Sequence, residues 1–262
     1  MTILPCHRLR KVLSTASTSL ILTASLITLS LPAIAVTLIT ERTELGSNDQ
    51  LDWSSLGKVF DPFNFDQTAF LPNTFSTVSE DNLGITVDIP LANSPSITPP
   101  FVFQTGFPPI GIPTNFANGD FILFTGFEPP QGQPQPGPFV PALGNPGPIT
   151  ITFDTPVKGA GTQLAVDDTL AFQAFVSAFD TGDNLLGTFS IDGTSSLNLD
   201  NSAVFLGVQS ETANISRLVF SSSEDNRAIG INTLSIIGVP EPTSILALFT
   251  VVTFGIGFSK KR

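Results

Sequence analysis

The chain has 262 residues, 41% of them hydrophobic and 13% charged, with 22 acidic against 11 basic side chains and a formal charge of −11. Its only histidine is His7, its only cysteine is Cys6, tyrosine is absent and phenylalanine numbers 23. Beyond residue 7 this excludes Ser-His-Asp and Cys-His nucleophiles, zinc sites of the usual Cys/His type and disulfides, so stability must come from packing.

The first segment is basic, with His7, Arg8, Arg10 and Lys11. An apolar run from Leu20 to Leu31 follows, and then the small-residue exit Ala33-Ile34-Ala35. That order predicts a secretory signal peptide over residues 1–35, cut between Ala35 and Val36. The run offers about a dozen strongly apolar positions, short of the ~20 that span a bilayer, which separates it from an anchor helix. Cys6 lies ahead of the run and cannot be a lipid-attachment cysteine.

Residues 36–239 are long enough for one sizeable core and are read as one domain. They hold 21 acidic side chains against five basic ones, Arg42, Lys58, Lys158, Arg217 and Arg227, a balance near −16. A chain so acidic lacks the Lys/Arg patches that nucleic acid or an anionic membrane surface demands. It suits solubility, cations or basic partners. Phe without Tyr, and with Trp53 alone, suits packed sheets better than sugar platforms, which need an aromatic face joined to a polar handle.

In chain order, Leu83 to Ile89 alternates apolar with polar and predicts a half-buried strand, and Ile149 to Phe153 repeats the scheme with Thr outward. Leu170 to Phe179 is apolar on both faces and predicts a central strand. Further strands are predicted at Leu185 to Ile191, Ala203 to Gln209, Ile215 to Phe220 and Ala228 to Ile236. Asp180 to Asn184, Asp192-Gly193, Asp200-Asn201 and Glu224 to Asn226 supply the turns between them. With no convincing amphipathic helix, the fold class is all-β, an antiparallel β-sandwich or jelly roll.

The stretch from Pro90 to Pro148 is rich in Pro and Gly, and residues 129–148 alone contain eight prolines. The part near 128–148 can neither hold a helix nor donate a full ladder, which predicts a solvated loop. Inside the stretch Thr105-Gly106-Phe107-Pro108-Pro109 returns as Thr125-Gly126-Phe127-Glu128-Pro129-Pro130, after Phe101-Val102-Phe103 and Phe121-Ile122-Leu123 respectively. Two copies predict two strands ending in similar turns, not a solenoid.

Residues 240–262 close the chain with Pro240-Glu241-Pro242, an apolar stretch from Ile245 to Phe258, and Ser259-Lys260-Lys261-Arg262. A helix over those fourteen residues rises ~21 Å, less than a ~30 Å hydrocarbon core, and so forms a marginal anchor. The basic cluster is held on the cytoplasmic side, leaving residues 36–239 outside. The prolines leave a stiff, accessible stretch ahead of the helix.

Pro240, Glu241 and Pro242, the short apolar helix, and Lys260, Lys261 and Arg262 together resemble the PEP-CTERM sorting signal of exported proteins in Gram-negative or cyanobacterial cells. The resemblance implies recognition by an exosortase, a membrane-embedded cysteine transpeptidase-like protease, in cells that make exopolysaccharide. Residues 50–236 resemble, more loosely, a sandwich domain of exported proteins carrying that signal, through segments such as Leu51 to Gly57, Asn115 to Asp120, Ile149 to Gly161 and Ala203 to Val208. No catalytic motif comes with either resemblance.

Without His or Cys, oxygen-ligand cation sites and carboxylate pairs are the remaining chemistry. Asp180, Asp183 and Asn184 form the best calcium candidate, followed by Asp167 with Asp168 and Asn118 with Asp120. None has the D-x-D-x-D-G spacing of a calcium loop, and Asp-Gly or Asp-Asn at strand ends also serves simply to turn the chain. No linear spacing selects a glycosidase pair among the acids. Asn214-Ile215-Ser216 formally matches a glycosylation acceptor and is read as the start of a strand. The expectation is a non-enzymatic protein without a cofactor. It is exported, held briefly at the inner membrane by its tail, and then surface-bound or extracellular. The alternative is a carbohydrate- or calcium-binding adhesion module on exopolysaccharide. The implied partners are the secretion machinery and an exosortase, with no nucleic acid.

Overall fold

A computed structural model of the chain describes residues 36–61, 64, 66–109, 111–129 and 143–239. In chain order these form β1 (Thr37–Ile39), α1 (Arg42–Leu45), β2 (Asp49–Leu51), β3 (Thr74–Val78), β4 (Gly84–Asp88), β5 (Phe101–Gln104) and β6 (Phe121–Phe124). Then come β7 (Ile149–Val157), β8 (Gly159–Val166), β9 (Ala171–Phe179), β10 (Leu185–Thr194), β11 (Val204–Gln209), β12 (Ile215–Ser222), β13 (Ile229–Ile231) and β14 (Leu234–Ile237). The class is all-β, and among the described residues no helix is long and apolar enough to cross a membrane.

The strands make two antiparallel sheets. One has six strands in the order β10-β9-β12-β7-β4-β3. The other has eight, in the order β1-β11-β8-β13-β6-β5, with β14 paired to β8 and β2 paired to β14. Period-two burial turns one face of each sheet inward, and the two faces meet as in a β-sandwich. Ile85, Val87, Ile149, Ile151, Val176, Leu218 and Phe220 come from the first sheet. They meet Val102, Leu123, Leu164, Leu206, Ile231 and Ile236 from the second.

The eight-stranded sheet is covered on its other face as well. Phe101, Phe103, Phe116 and Phe124 gather there with Phe60 and Ala165 in a second cluster. Phe60 and Phe101 have ring centroids 4.6 Å apart, and Phe103 meets Phe124 edge-on at 5.7 Å. The abundance of Phe is thus spent in two layers, the second of them outside the sandwich core.

Three sequence expectations change. The stretch 170–179 is not apolar on both faces: in β9, Phe172, Ala174, Val176 and Ala178 are buried while Gln173, Phe175, Ser177 and Phe179 are only half-buried. It still lies inside its sheet, between β10 and β12. The single strand expected over 228–236 is two, because Asn232 and Thr233 interrupt the ladder and β13 and β14 take different neighbours beyond β8. The turn expected at Asp192-Gly193 is absent, because β10 runs on to Thr194. The short repeat does give two strands, β5 and β6, and they pair with each other, Phe101 opposite Phe124 and Phe103 opposite Ile122.

β8 itself, Gly-Ala-Gly-Thr-Gln-Leu-Ala-Val, was not expected, and all eight of its residues are buried. Position 161 must be small because a Cβ on Gly161 would press on Phe205 and the β11 backbone. The Pro-rich loop is pinched at its base, where Glu128 N–H donates to the Leu143 carbonyl at 2.7 Å. Residues 130–142 lie outside the described residues.

Both ends of the sandwich are defined by connections. Lys158, residues 180–184 and residues 210–214 lie at one end, and residues 167–170, 195–203 and 223–228 at the other.

Candidate functional site

The calcium candidate is the β9–β10 turn. Asp180 Oδ1 accepts the backbone N–H groups of Gly182 at 2.8 Å and Asn184 at 2.9 Å, and the Asn184 amide donates to both Asp180 oxygens at 3.0–3.1 Å. Those bonds, led by the Asn184 side chain, hold the Asp180 carboxyl below its usual pKa. Asp183 has φ of 61° and turns away to an ion pair with Arg217 at 2.8 Å. The guanidinium in turn lies over the Phe179 ring, 4.0 Å from its centroid. Asp180 and Asn184 are therefore brought together, as an Asx turn, and Asp183 is directed elsewhere.

The secondary candidates are similarly occupied. Asp167 Oδ1 accepts the Asp168 backbone N–H at 3.0 Å, and Asp168 faces Arg227 at 3.6 Å. Burial pushes the Asp167 carboxyl above its usual pKa. Asp120 accepts the side-chain amide of Asn232 at 2.9 Å. Among the described residues, no three His, Cys, Asp or Glu side chains converge as a metal group.

A polar cluster with no signal in the linear sequence centres on Asn232. Its Oδ1 accepts from Arg42 at 2.7 Å and from the Gln163 backbone N–H at 3.1 Å. Its amide nitrogen donates to Gln163 Oε1 at 2.6 Å as well as to Asp120. Arg42 also donates to the Thr233 carbonyl at 2.8 Å and to Ser235 Oγ at 2.6 Å, and stacks 5.1 Å from the Phe205 centroid. Burial lowers the Arg42 pKa, and the charge of Asp120 works against that shift. Each polar atom of the Asn232 side chain thus meets protein partners, so the cluster fixes strands and leaves no reactive atom presented.

Among the described residues there is an open depression of about 710 Å³ at the end of the sandwich beside residues 195–203. Phe172, Gln173, Asp192, Thr194, Ser202 and Ser223 line it. Gln173 Nε2 donates to Asp192 Oδ1 at 3.1 Å, and Ser223 Oγ accepts the Gln173 backbone N–H at 3.0 Å. Gly193 sits opposite Phe172, where a Cβ would press on the ring. An aromatic edge bordered by amide, carboxylate and hydroxyl groups can hydrogen-bond a polyol.

The sorting residues Pro240, Glu241, Pro242, Lys260, Lys261 and Arg262, and the cleavage residues Ala33 and Ala35, lie outside the described residues.

No family model matches the chain, and no curated protein matches it in sequence. Among solved structures, it is similar to a DUF4465 family protein from Bacteroides caccae, with 13% identity and a TM-score of 0.33 over 76% of this chain and 99% of that one. It is also similar to the enzymatically active domain of tailspike protein 4 from bacteriophage CBA120, with 13% identity and a TM-score of 0.23, over 66% of this chain and 20% of that one. Likenesses this distant leave the functional reading to the chain's own residues.

Proposed function

We propose that the chain is a non-catalytic exported protein of the cell envelope or extracellular matrix. In this reading residues 1–35 are a signal peptide, and residues 240–262 are a PEP-CTERM tail with a short membrane helix, processed by an exosortase. The observation that supports the reading is that the described residues next to both expected signals are built into the body. Val36, the first residue after the expected cut, is only 7% exposed and belongs to the main core, and pairing begins at Thr37. At the other end Gly238 N–H donates to Asn48 Oδ1 at 2.8 Å, and the Asn48 amide donates back to the Gly238 carbonyl at 3.3 Å.

The non-catalytic part of the reading rests on chemistry. The body has no His or Cys, and its best buried polar cluster is committed to holding strands. The test is the intact mass of the mature protein from the producing cell and from the same cell lacking its exosortase. Loss of residues 1–35 is expected in both, and trimming of the tail only in the first. A mature mass unchanged by the deletion sinks the sorting claim.

The depression favours a second reading, a carbohydrate-binding adhesion module on exopolysaccharide. Mature protein should then bind the producer's polysaccharide, and Gln173→Ala should weaken binding. Repeating the measurement with calcium and with a chelator tests the Asp180, Asp183 and Asn184 turn.

A further inference from the structure

The body's two ends leave it side by side. Thr37 pairs with Gln209, Gln209 with Gly159, and Gly159 with Ile237, the last residue of β14. That is three steps across one sheet, about 14 Å at ~4.8 Å per step. β1 runs away from this end of the sandwich and β14 runs toward it, so the chain before Val36 and the chain after Gly238 depart from the same end. The depression lies at the opposite end, among residues 171–173, 192–194, 202 and 223.

The connections to the two apolar segments are short. Leu31 to Val36 reaches about 17 Å fully extended, and Gly238 to Ile245 about 24 Å, at ~3.4 Å per residue. β10, with ten residues, is about 30 Å long. A body turned end for end would need each connection to cover that length before meeting the bilayer, and neither does. With 21 acidic against five basic side chains, the body as a whole is not drawn down onto anionic headgroups by charge.

We infer that, while both apolar segments are in the membrane, the sandwich stands on its Thr37–Ile237 end. Lys158 and the turns 180–184 and 210–214 then face the lipid surface, and the depression is presented outward. The inference rests on the sorting reading above.

The body has no cysteine, so position can be read directly. In full-length Cys6→Ser protein, single substitutions Glu211→Cys at the near end and Thr194→Cys at the far end, both at exposed positions, accept a fluorophore. Thr212→Cys and Ser202→Cys form a second pair, and Trp53 emission reports that each variant is folded. The labelled chains are reconstituted in phosphatidylethanolamine/phosphatidylglycerol vesicles doped with lipid carrying a nitroxide on its headgroup. Near-end labels should be quenched roughly twofold or more beyond far-end labels, given the ~30 Å between them. Equal quenching, or stronger quenching at the far end, in chains that still float with the vesicles overturns the orientation and leaves the sorting reading standing. Chains that do not float with the vesicles overturn both.

Discussion

The indole N–H of Trp53 donates to the main-chain carbonyl of Asn232 at 2.8 Å, and the Thr162 hydroxyl donates to the same oxygen at 2.8 Å. The chain's one tryptophan therefore pins the break between β13 and β14, where Asn232 interrupts the ladder. Trp53→Phe removes one donor and leaves a void in a fully buried site. Because Thr162 still serves the carbonyl, the expected loss is about 1–3 kcal/mol rather than the full cost of an orphaned acceptor. Urea unfolding followed by far-ultraviolet circular dichroism measures it, and a loss under ~0.5 kcal/mol would mean that the contact contributes nothing.

On the other side of the same residue, the Asn232 side chain and Arg42 act as a unit. Asn232→Ala strips the guanidinium of one acceptor, takes from Asp120 the amide it accepts, and leaves Gln163 Oε1 without its donor, while Gln163 Nε2 keeps its bonds to Asn201 and Ala203. The expected loss is about 3–5 kcal/mol, as for breaking a buried charged network. Arg42→Met should cost less alone, because the methionine stem still covers Phe205. A double-mutant cycle should show coupling of about 0.5–3 kcal/mol. Strict additivity would contradict the shared network.

Why was this cluster invisible in the sequence when much of the sheet was not? Strands with one wet face betray themselves: Ile85, Val87, Ile149 and Ile151 alternate with Thr86, Thr150 and Thr152, and β4 and β7 form where that pattern runs. β8 has no wet face. Its small residue at position 161 is set by Phe205 and a neighbouring backbone, and nothing local announces it. Arg42, Asp120, Gln163 and Asn232 are spread over 190 residues and meet only when β13 and β14 dock on β8. The Asp180–Asn184 turn was legible as a turn, but the ion pair of Asp183 with Arg217, 34 residues away, was not.

Gly126 has φ of 113°, and a Cβ there would collide with the Thr98 carbonyl oxygen. Its neighbour Thr125 is fixed on both sides, the hydroxyl donating to the Asn145 carbonyl at 2.6 Å and accepting the Ile229 N–H at 2.9 Å. The segment cannot shift without losing those bonds. Gly126→Ala should thus destabilise by about 3 kcal/mol or more, or abolish soluble expression. Gly46→Ala, at φ of 61° with open space around it, provides the control. It should cost only about 1 kcal/mol, from backbone strain alone.

The carboxyls of Asp167 and Asp180 should act in opposite senses on stability as pH changes. Burial, the largest cause, raises the Asp167 pKa, against the pull of the Asp168 backbone N–H and the Arg227 charge. The folded state then holds that proton more tightly than the unfolded chain does. Its stability contribution is fully present below the ordinary carboxylate value near ~4 and is lost as pH rises through the raised folded value. Asp180 is shifted down, first by the Asn184 side chain, so its contribution is present above the ordinary value and is lost as pH falls through the lowered one. Asp167→Asn should consequently raise Tm relative to wild type at neutral pH, with the gain shrinking toward acid. Asp180→Asn should lower Tm at neutral pH, with the deficit shrinking toward acid. Melting curves of mature protein from pH ~3 to ~8 compare the two directly. Parallel, pH-independent offsets for both variants would show that neither carboxyl is shifted by its surroundings.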